Sequence, residues 1–407
     1  MKRLSRRLRP ELVAVVILAF VVRLAWIRWG VWVGGDAPEY SALAHSIAAN
    51  GVFGYDGHTP STARPPLYPA VIALTLLLHV PSAIYLIQAI VGSATVAVIY
   101  GLVNSTFGRR CAAMASLALA LAPMTARYSA IAVAETLFTF LVVLAMWAWA
   151  NGFARACGVA LGLSVLTRAV LLPYVLLMGL LWLIPRLRPY IPGAGAIVAL
   201  ALLVVAPWVA RNVAVSGRAT VADAGWGVGL LNGTVVLHTG SNPVTQLYRE
   251  FGGFPGASST ETALMQRALE RIRAAPGAWI AARLSQYPRL FIDSGDYLPV
   301  DANRIGIGEA WAHGRFSTIA LKVAFVGGNL LILVLAGLGV WKSRADLSRL
   351  VPLWSVLLYV ALAQLPIYVE PRYGLPAMPF LLVWGSALFR PVPIESARGA
   401  HAAAPIG

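Results

Sequence analysis

Long apolar runs separated by short polar connections make up most of the chain. A membrane-spanning helix needs about 20 predominantly apolar residues to cross roughly 30 Å of hydrocarbon. Ten runs approach that description: 12–33, 83–103, 111–126, 130–150, 154–168, 169–184, 194–214, 318–340, 350–368 and 373–390. The pattern predicts an all-α polytopic membrane protein with about 10 transmembrane helices.

The first long polar segment, residues 34–82, follows the first apolar run. Its pattern predicts a short amphipathic helix from Ala37 to Ala49 and an irregular, Gly- and Pro-rich turn from Tyr55 to Arg64. The apolar run 65–79 is too short to cross a membrane comfortably, so we predict a juxtamembrane or re-entrant helix there.

The second polar segment, residues 215–317, is roughly a hundred residues long, and loops of this length are usually functional. The capping box Ser258-x-x-Glu261 predicts a helix from about Thr260 to Ala275, and Pro276 opens a second helix that ends near Tyr287. We therefore divide the chain into an N-terminal membrane module, a mainly helical extracytoplasmic segment and C-terminal membrane helices with a cytoplasmic tail. The boundaries are 1–214, 215–317 and 318–407.

Composition confirms the membrane class and gives the charge a particular meaning. The chain is 59% hydrophobic and 12% charged, against about 25% charged for soluble domains. This excludes a soluble enzyme, a disordered chain and a fibre. Its 32 Lys and Arg against 16 Asp and Glu give a net charge of +16. In a membrane protein such basicity reports topology, because Lys and Arg collect in cytoplasmic loops, and we predict no nucleic-acid partner.

The distribution of basic residues fixes a predicted orientation. If run 65–79 does not cross, a set of basic residues lies on the side of the N-terminus: Arg109, Arg110, Arg155, Arg186, Arg188, Lys342, Arg344, Arg349, Arg390 and Arg398. The positive-inside rule then places both termini in the cytoplasm. Only Glu11, Asp346 and Glu395 lie on that side, so 13 of the 16 acidic residues are extracytoplasmic. The polar chemistry is therefore predicted on the outer face.

Asp36 and Arg64 are the leading candidates for that chemistry. A carboxylate at the mouth of a membrane cavity is partly desolvated and suits a general base, although Asp36 can equally serve as the cap of the helix that follows. Arg64 precedes Pro65-Pro66, whose stiff backbone would hold a guanidinium fork suited to a phosphate. The alternative for Arg64 is contact with lipid headgroups.

Glu135 opens the fourth predicted span. A carboxylate at membrane depth usually faces a cavity, but a Glu in a first turn also complements the helix dipole. With the predicted orientation, the following residues converge at one membrane face: Asp36, Arg64, Arg127, Glu135, Arg168, Glu370 and Arg372. The six histidines show no paired spacing, so histidine ligation of a metal is not predicted.

Five motifs in this order resemble the polyprenyl-phosphate-dependent glycosyltransferases of the GT-C membrane class, which includes protein O-mannosyltransferases and aminoarabinose transferases. The motifs are Asp36-Ala37-Pro38-Glu39-Tyr40, Arg64-Pro65-Pro66-Leu67-Tyr68-Pro69, Ala134-Glu135-Thr136-Leu137-Phe138, Pro207-Trp208-x-x-Arg211-Asn212 and Pro371-Arg372-Tyr373. The resemblance covers about residues 12 to 390 and is clearest before residue 214. Their order and spacing carry it, since no single motif is highly specific.

The resemblance implies a GT-C fold and specific roles for these residues. Asp36 would be the catalytic base, with Glu135 as the second acid of the family. Arg64 would hold the donor phosphate, and Arg372 and Arg168 would assist it. Further substrate-cavity candidates are Glu39, Tyr40, Tyr68, Arg127, Tyr128 and Tyr373.

The implied activity is inverting transfer of a sugar from a polyprenyl-phosphate donor to a lipid, glycan or protein acceptor. The enzyme would lie in a bacterial inner membrane, with its active site on the extracytoplasmic face. No cofactor is certain, and a divalent cation remains open. One alternative is an O-antigen ligase or polymerase with essential residues in 215–317, such as Arg283, Arg289, Arg304 or His313. A transporter or flippase is a weaker alternative, because the two halves of the chain differ and the charges gather at one face.

Overall fold

The computed structural model describes residues 9–31, 35–223, 225–234, 258–292 and 306–390. Helices dominate these residues, which confirms the all-α prediction. In chain order they are α1 (Pro10–Trp29), α2 (Ala37–Asn50), α3 (Leu67–Leu77), α4 (Ala83–Thr106), α5 (Arg109–Leu121), α6 (Pro123–Arg127), α7 (Glu135–Ala150), α8 (Ala154–Thr167), α9 (Leu172–Leu183), α10 (Ala194–Ser216), α11 (Trp226–Asn232), α12 (Ser258–Ala274), α13 (Pro276–Gln286), α14 (Arg289–Ile292), α15 (Ile307–Ala312), α16 (Phe316–Lys342), α17 (Val351–Ala363) and α18 (Met378–Ser386).

Among the described residues, four helices are long and apolar enough to cross a membrane unaided: α1, α4, α10 and α16. Others are apolar but shorter, including α7, α8 and α17. The predicted span 111–126 is divided at Ala122, whose extended backbone precedes Pro123 at the start of α6. The predicted span 373–390 opens with a 3₁₀ helix, Pro371–Ala377, before α18. The number of crossings stays a prediction.

Close helix contacts at small residues assemble the bundle. Helix α8 packs against α10, and a Cβ atom at Gly158 would lie 2.6 Å from the Ile197 carbonyl oxygen. Helices in a membrane gain most of their packing from such close approaches, since lipid is as apolar as their side chains. A larger side chain at Gly158 would force α8 and α10 apart.

Helices α1 and α4 run antiparallel, and this arrangement bears on whether α3 crosses the membrane. The Arg9 guanidinium donates a hydrogen bond to Asn104 Oδ1 over 2.8 Å, and Arg109 Nε lies 2.6 Å from Glu11 Oε1. The start of α1 therefore lies beside the end of α4. If α1 and α4 both cross the membrane, this antiparallel arrangement returns the chain to the side on which α1 begins, with no crossing by α3 between them. The charge pattern favours the same arrangement, and the crossing of α3 stays a prediction.

Predicted cytoplasmic residues from distant parts of the chain gather at this same end. Phe107 lies 6.0 Å from the ring of Trp384 near the end of α18. Lys342, at the end of α16, donates a hydrogen bond to the Leu388 carbonyl oxygen over 2.7 Å. Asp346 accepts a hydrogen bond from Arg390 over 2.9 Å. The opposite end of the bundle carries the charged residues around Asp36.

Candidate active site

A cavity of about 490 Å³ lies at the end of the bundle remote from Glu11 and Arg109. Its walls come from the first loop, the start of α7, the turn after α8, helix α11, the end of α17 and the 3₁₀ helix Pro371–Ala377. The charged residues that line it are Asp36, Glu39, Arg64, Glu135, Arg168, Glu370 and Arg372. The structure thus brings together all the leading charged candidates except Arg127.

Asp36 lies between two guanidinium groups. Arg64 Nη2 donates to its Oδ1 over 3.2 Å, and Arg372 Nη1 donates to its Oδ2 over 3.1 Å. Asp36 is the N-cap residue of α2, yet its carboxylate makes no capping hydrogen bond with a described residue. The helix-cap interpretation therefore does not account for Asp36. Gly35 supports this arrangement with its positive φ of 58° beside Arg372.

The charges around Asp36 control its ionisation. Burial acts to raise the pKa of the Asp36 carboxyl, but the guanidinium groups of Arg372, Arg64 and Arg168 outweigh burial and lower that pKa below its ordinary value. Opposite charges within a few ångströms favour the ionised form in this way. Asp36 is therefore a carboxylate at neutral pH.

Arg64 joins the first loop to the cavity. It lies directly before α3, whose N-cap is Pro66, and its Nε donates to Glu39 Oε2 over 2.8 Å. Its guanidinium also lies 5.7 Å from the ring centroid of Tyr40. The side chain points inward to two carboxylates, so the lipid-headgroup interpretation does not describe its contacts.

Glu135 and Arg168 form a second ion pair in the same cavity. Arg168 Nη1 donates to Glu135 Oε1, and Arg372 Nη1 lies 3.9 Å from the same oxygen. Glu135 is 1% exposed, and its Oε2 has no hydrogen-bond partner among the described residues. A buried charge is stable only when it is paired, so Glu135 does more than complement the dipole of α7: it also binds Arg168.

Arg372 connects the two ion pairs. It contacts Asp36 and Glu135 as given above, and its Nε also approaches Glu370 Oε2. Its guanidinium lies 5.4 Å from the centroid of the Tyr373 ring, which Arg168 faces from 5.5 Å. Stacking on an aromatic face limits the rotation of a guanidinium. Tyr373 therefore helps to hold both arginines in place.

Three of the predicted cavity residues do not line this cavity. Tyr68 is 1% exposed and donates a hydrogen bond to Gln88 Oε1 over 3.0 Å. Arg127 lies over the ring of Trp26, 5.7 Å from its centroid, and Tyr128 is buried in the 3₁₀ turn that follows α6. The break at Ala122 turns residues 123–130 toward α1. Arg127 and Tyr128 therefore do not line the cavity, although they were predicted to lie at the same membrane face.

The end of α10 and the segment that follows it hold the first loop against the bundle. Arg211 Nη1 donates to the Ser61 carbonyl oxygen over 2.6 Å, and Thr62 Oγ1 donates to Asp223 Oδ2 over 2.5 Å. The Arg211 guanidinium also lies 4.8 Å from the centroid of the Trp208 ring. These contacts fix the turn that ends at Arg64. The sequence pointed to the Trp208–Arg211 motif through resemblance alone, and it gave no signal for Asp223.

The described carboxylates do not form a metal site. No group of three His, Cys, Asp or Glu side chains in the described ranges could hold a metal ion. The carboxylates of Asp36, Glu39, Glu135 and Glu370 each contact a guanidinium group instead. We derive no step through a metal ion.

Neutral residues of the later segments complete the walls. They include Trp226, Asn232, Tyr359 and Gln364. The sequence did not identify these residues, because an isolated amide or aromatic residue in an apolar segment belongs to no motif. Asn232 attracts notice in the sequence only through the short glycosylation pattern Asn232-Gly233-Thr234.

Comparison with known families confirms the resemblance drawn from the motifs. Residues 63–210 match the family model "Dolichyl-phosphate-mannose-protein mannosyltransferase". The matched range contains Arg64, Glu135 and Arg168, while Asp36 and Arg372 lie outside it. No curated protein matches the chain at a significant level.

Solved structures share the fold of this chain. The archaeal oligosaccharyltransferase AglB from Archaeoglobus fulgidus, solved with an inhibitory peptide and a dolichol-phosphate, is 12% identical with a TM-score of 0.50, over 97% of this chain and 52% of that one. Its apo form gives 13% identity and a TM-score of 0.52, over 93% and 50% of the two chains. ArnT from Cupriavidus metallidurans, bound to undecaprenyl phosphate, is 17% identical with a TM-score of 0.43, over 95% and 78%. The chain thus spans about half the length of the oligosaccharyltransferase, and the two oligosaccharyltransferase matches establish a GT-C fold.

Proposed function

We propose that this chain, with its GT-C fold and its match to the mannosyltransferase family model, is a membrane glycosyltransferase. It transfers a sugar from a polyprenyl-phosphate donor to an acceptor at the extracytoplasmic face, with inversion at the anomeric carbon. One observation carries the proposal: Asp36 lies between Arg64 and Arg372 in a cavity that also holds the Glu135–Arg168 pair. The dolichol-phosphate bound by AglB supports a lipid phosphate as the donor.

The arginines suit the leaving group of this reaction. As the bond between the anomeric carbon and the phosphate oxygen breaks, negative charge builds up on the phosphate. Arg64, Arg372 and Arg168 are already fixed by carboxylates and aromatic rings, and preorganised charge of this kind stabilises such a transition state most. A phosphate leaving group needs this charge more than it needs a proton.

Asp36 would take the proton of the acceptor. The acceptor oxygen or nitrogen bonds to the anomeric carbon while the lipid phosphate leaves, and its proton passes to an Asp36 oxygen. In the free protein Arg372, Arg64 and Arg168 lower the basicity of Asp36. A donor phosphate that binds those arginines would neutralise part of their charge and raise the pKa of Asp36 toward the range that favours a general base. Donor binding would thus prepare the base.

No observation on the described residues specifically favours the O-antigen ligase or polymerase alternative. It expects essential residues in 215–317, where Arg283 is a candidate. Arg283 is 5% exposed, donates to the Ile367 carbonyl oxygen and to Gln286 Oε1, and so supports a wall of the cavity. Arg304 lies outside the described residues, and the His313 ring is hydrogen-bonded to the Glu309 carbonyl oxygen of its own helix.

The decisive experiment is Asp36→Asn in the purified full-length protein. With polyprenyl-phosphate sugars and a panel of acceptors, we expect transfer to fall at least about 100-fold, the usual contribution of a general base. Asp346→Asn is the matched control, because it breaks an Asp–Arg pair at the other end of the bundle, and it should keep full activity. Full turnover by Asp36→Asn would disprove the assignment of the base.

A further inference from the structure

Unpartnered amide oxygens border the proposed active site. Asn232 and Gln364 both line the cavity and are 4% and 5% exposed. Neither Asn232 Oδ1 nor Gln364 Oε1 accepts a hydrogen bond from a described residue. Buried polar groups in folded proteins are nearly always hydrogen-bonded. Two amide oxygens beside one cavity therefore point to a partner that enters it.

These amides are held in place by rigid, closely packed backbone. The segment 226–233 packs directly on 364–368: Tyr368 N donates to the Gly229 carbonyl oxygen over 2.8 Å. A Cβ atom at Gly233 would lie only 3.0 Å from the Pro366 carbonyl oxygen. Arg283 donates to the Ile367 carbonyl oxygen from the other side. The two amides thus belong to one wall that neighbouring elements fix, and their positions are set before any ligand binds.

A third unpartnered acceptor lies in the same cavity. Glu135 Oε2 is buried and has no hydrogen-bond donor among the described residues. The phosphodiester of a lipid-linked sugar has no N–H or O–H at neutral pH and cannot satisfy these oxygens, whereas the arginines already provide for its charge. A group that carries several hydroxyls or amines can satisfy all three acceptors. The chemistry of this wall therefore suits the sugar part of a lipid-linked donor.

We propose that Asn232 and Gln364 are specificity-determining residues that bind hydroxyl or amine groups of the transferred sugar through their carbonyl oxygens. This inference rests on the proposed function, since it assigns the sugar to a cavity whose arginines bind the lipid phosphate. A site built to hydrogen-bond such groups rejects an analogue that lacks one of them, because its own buried acceptor is then left unpaired.

The test compares Gln364→Met and Asn232→Leu with the wild type, in the purified full-length protein. Both substitutions keep the approximate volume and remove the amide. We measure binding of undecaprenyl phosphate alone and of undecaprenyl-phosphate hexoses. Each variant should bind the sugar-bearing lipid about 10-fold more weakly, the effect of one lost hydrogen bond, and should bind undecaprenyl phosphate as the wild type does. Asn151→Leu is the control, because its amide binds the Trp147 carbonyl oxygen outside the cavity.

A second measurement separates direct contact from a structural role. Mono-deoxy forms of the bound hexose remove one hydroxyl at a time, and a variant that lacks the matching amide should no longer discriminate against one of them. Equal weakening of every analogue, or an effect on acceptor binding alone, would overturn the inference while leaving the proposed function standing. If the wild type neither binds nor turns over any lipid-linked sugar, the proposed function and this inference both fail.

Discussion

Each charged residue that lines the cavity lies close to a group of opposite charge. Asp36 faces Arg64 and Arg372, and Glu135 faces Arg168. The arginines predicted to bind a phosphate therefore already hold carboxylates, and the predicted base is held in its ionised form. A donor phosphate would enter a network whose charges it redistributes, which makes the ionisation of Asp36 dependent on the occupant of the cavity.

Replacement of Arg372 by Gln should change the pH dependence of the enzyme. The pKa of Asp36 is lowered in the folded protein, so its ionised form persists until the pH falls through that lowered value. Loss of Arg372 should raise this pKa and move the acidic limb of the kcat/KM profile to higher pH, since that limb reports the free enzyme. The stability that ionised Asp36 still gains from Arg64 and Arg168 should likewise be lost at a higher pH than in the wild type, because it disappears as the pH falls through the pKa of Asp36 in the folded protein.

The measurement is a kcat/KM profile for the donor between about pH 4 and pH 8, together with thermal unfolding in detergent. Arg390→Gln is the matched control, because Arg390 pairs with Asp346 outside the cavity, and its profile should follow the wild type. An unchanged acidic limb in active Arg372→Gln would show that Asp36 does not set the profile.

At the scale of elements, the first loop depends on the end of α10 for its position. Arg211 binds two carbonyl oxygens of that loop, those of Ser61 and Phe53, and its guanidinium lies 5.6 Å from the Phe53 ring centroid. Arg64 follows Ser61 by three residues. If the first loop lost these contacts, Arg64 would move, and Asp36, which it binds, would move with it, although neither side chain is altered.

Arg211→Met should consequently lower donor turnover while leaving the catalytic residues intact. We expect a loss of about 10-fold or more in kcat/KM, because small misplacements of reacting groups are costly. Faster cleavage of the first loop in limited proteolysis should accompany it. Arg218→Met serves as the control, because Arg218 follows α10 and makes an exposed contact with Thr262 of α12. Wild-type kinetics with an easily cleaved loop would contradict the link between loop position and turnover.

At the scale of the whole molecule, the two ends of the bundle differ in chemistry. One end holds pairs with an exposed arginine, Glu11–Arg109 and Asp346–Arg390, and the other holds the partly buried cluster around Asp36. Exposed pairs contribute little to stability, but basic residues near membrane ends orient a chain. The charge pattern thus separates the end that is predicted to orient the chain from the end that carries the proposed active site.

This separation gives a prediction about orientation. Alkaline phosphatase fused after Gly217, at the end of α10, should be active outside the cytoplasm. Green fluorescent protein fused after Gly152 or after Arg390 should fluoresce, because both positions are at the basic end. The opposite pattern, or phosphatase activity at Gly152, would show that the predicted orientation or number of crossings is wrong.

Much of the fold could be read from the sequence because apolar runs are local. Helices α4 and α10 follow from their apolar runs, and α2 and α12 from short-range signals. The boundaries that failed, at Ala122 and before Met378, lie at prolines where the apolar run continues but the helix does not. Hydrophobicity alone does not show such breaks, since proline removes a helical hydrogen bond without making the segment polar.

The sequence by itself determined the helical membrane architecture, the end of the bundle that carries the acids, and the candidacy of Asp36, Arg64 and Glu135. Tertiary structure alone decided which side chains meet. Asp36 and Arg372 are 336 residues apart in the chain, and Thr62 and Asp223 are 161 apart. Asn232 and Gln364 become chemically significant only because packing buries their oxygens beside the same cavity. Periodicity and charge act over a few neighbouring residues, whereas a binding site depends on which distant helices pack together.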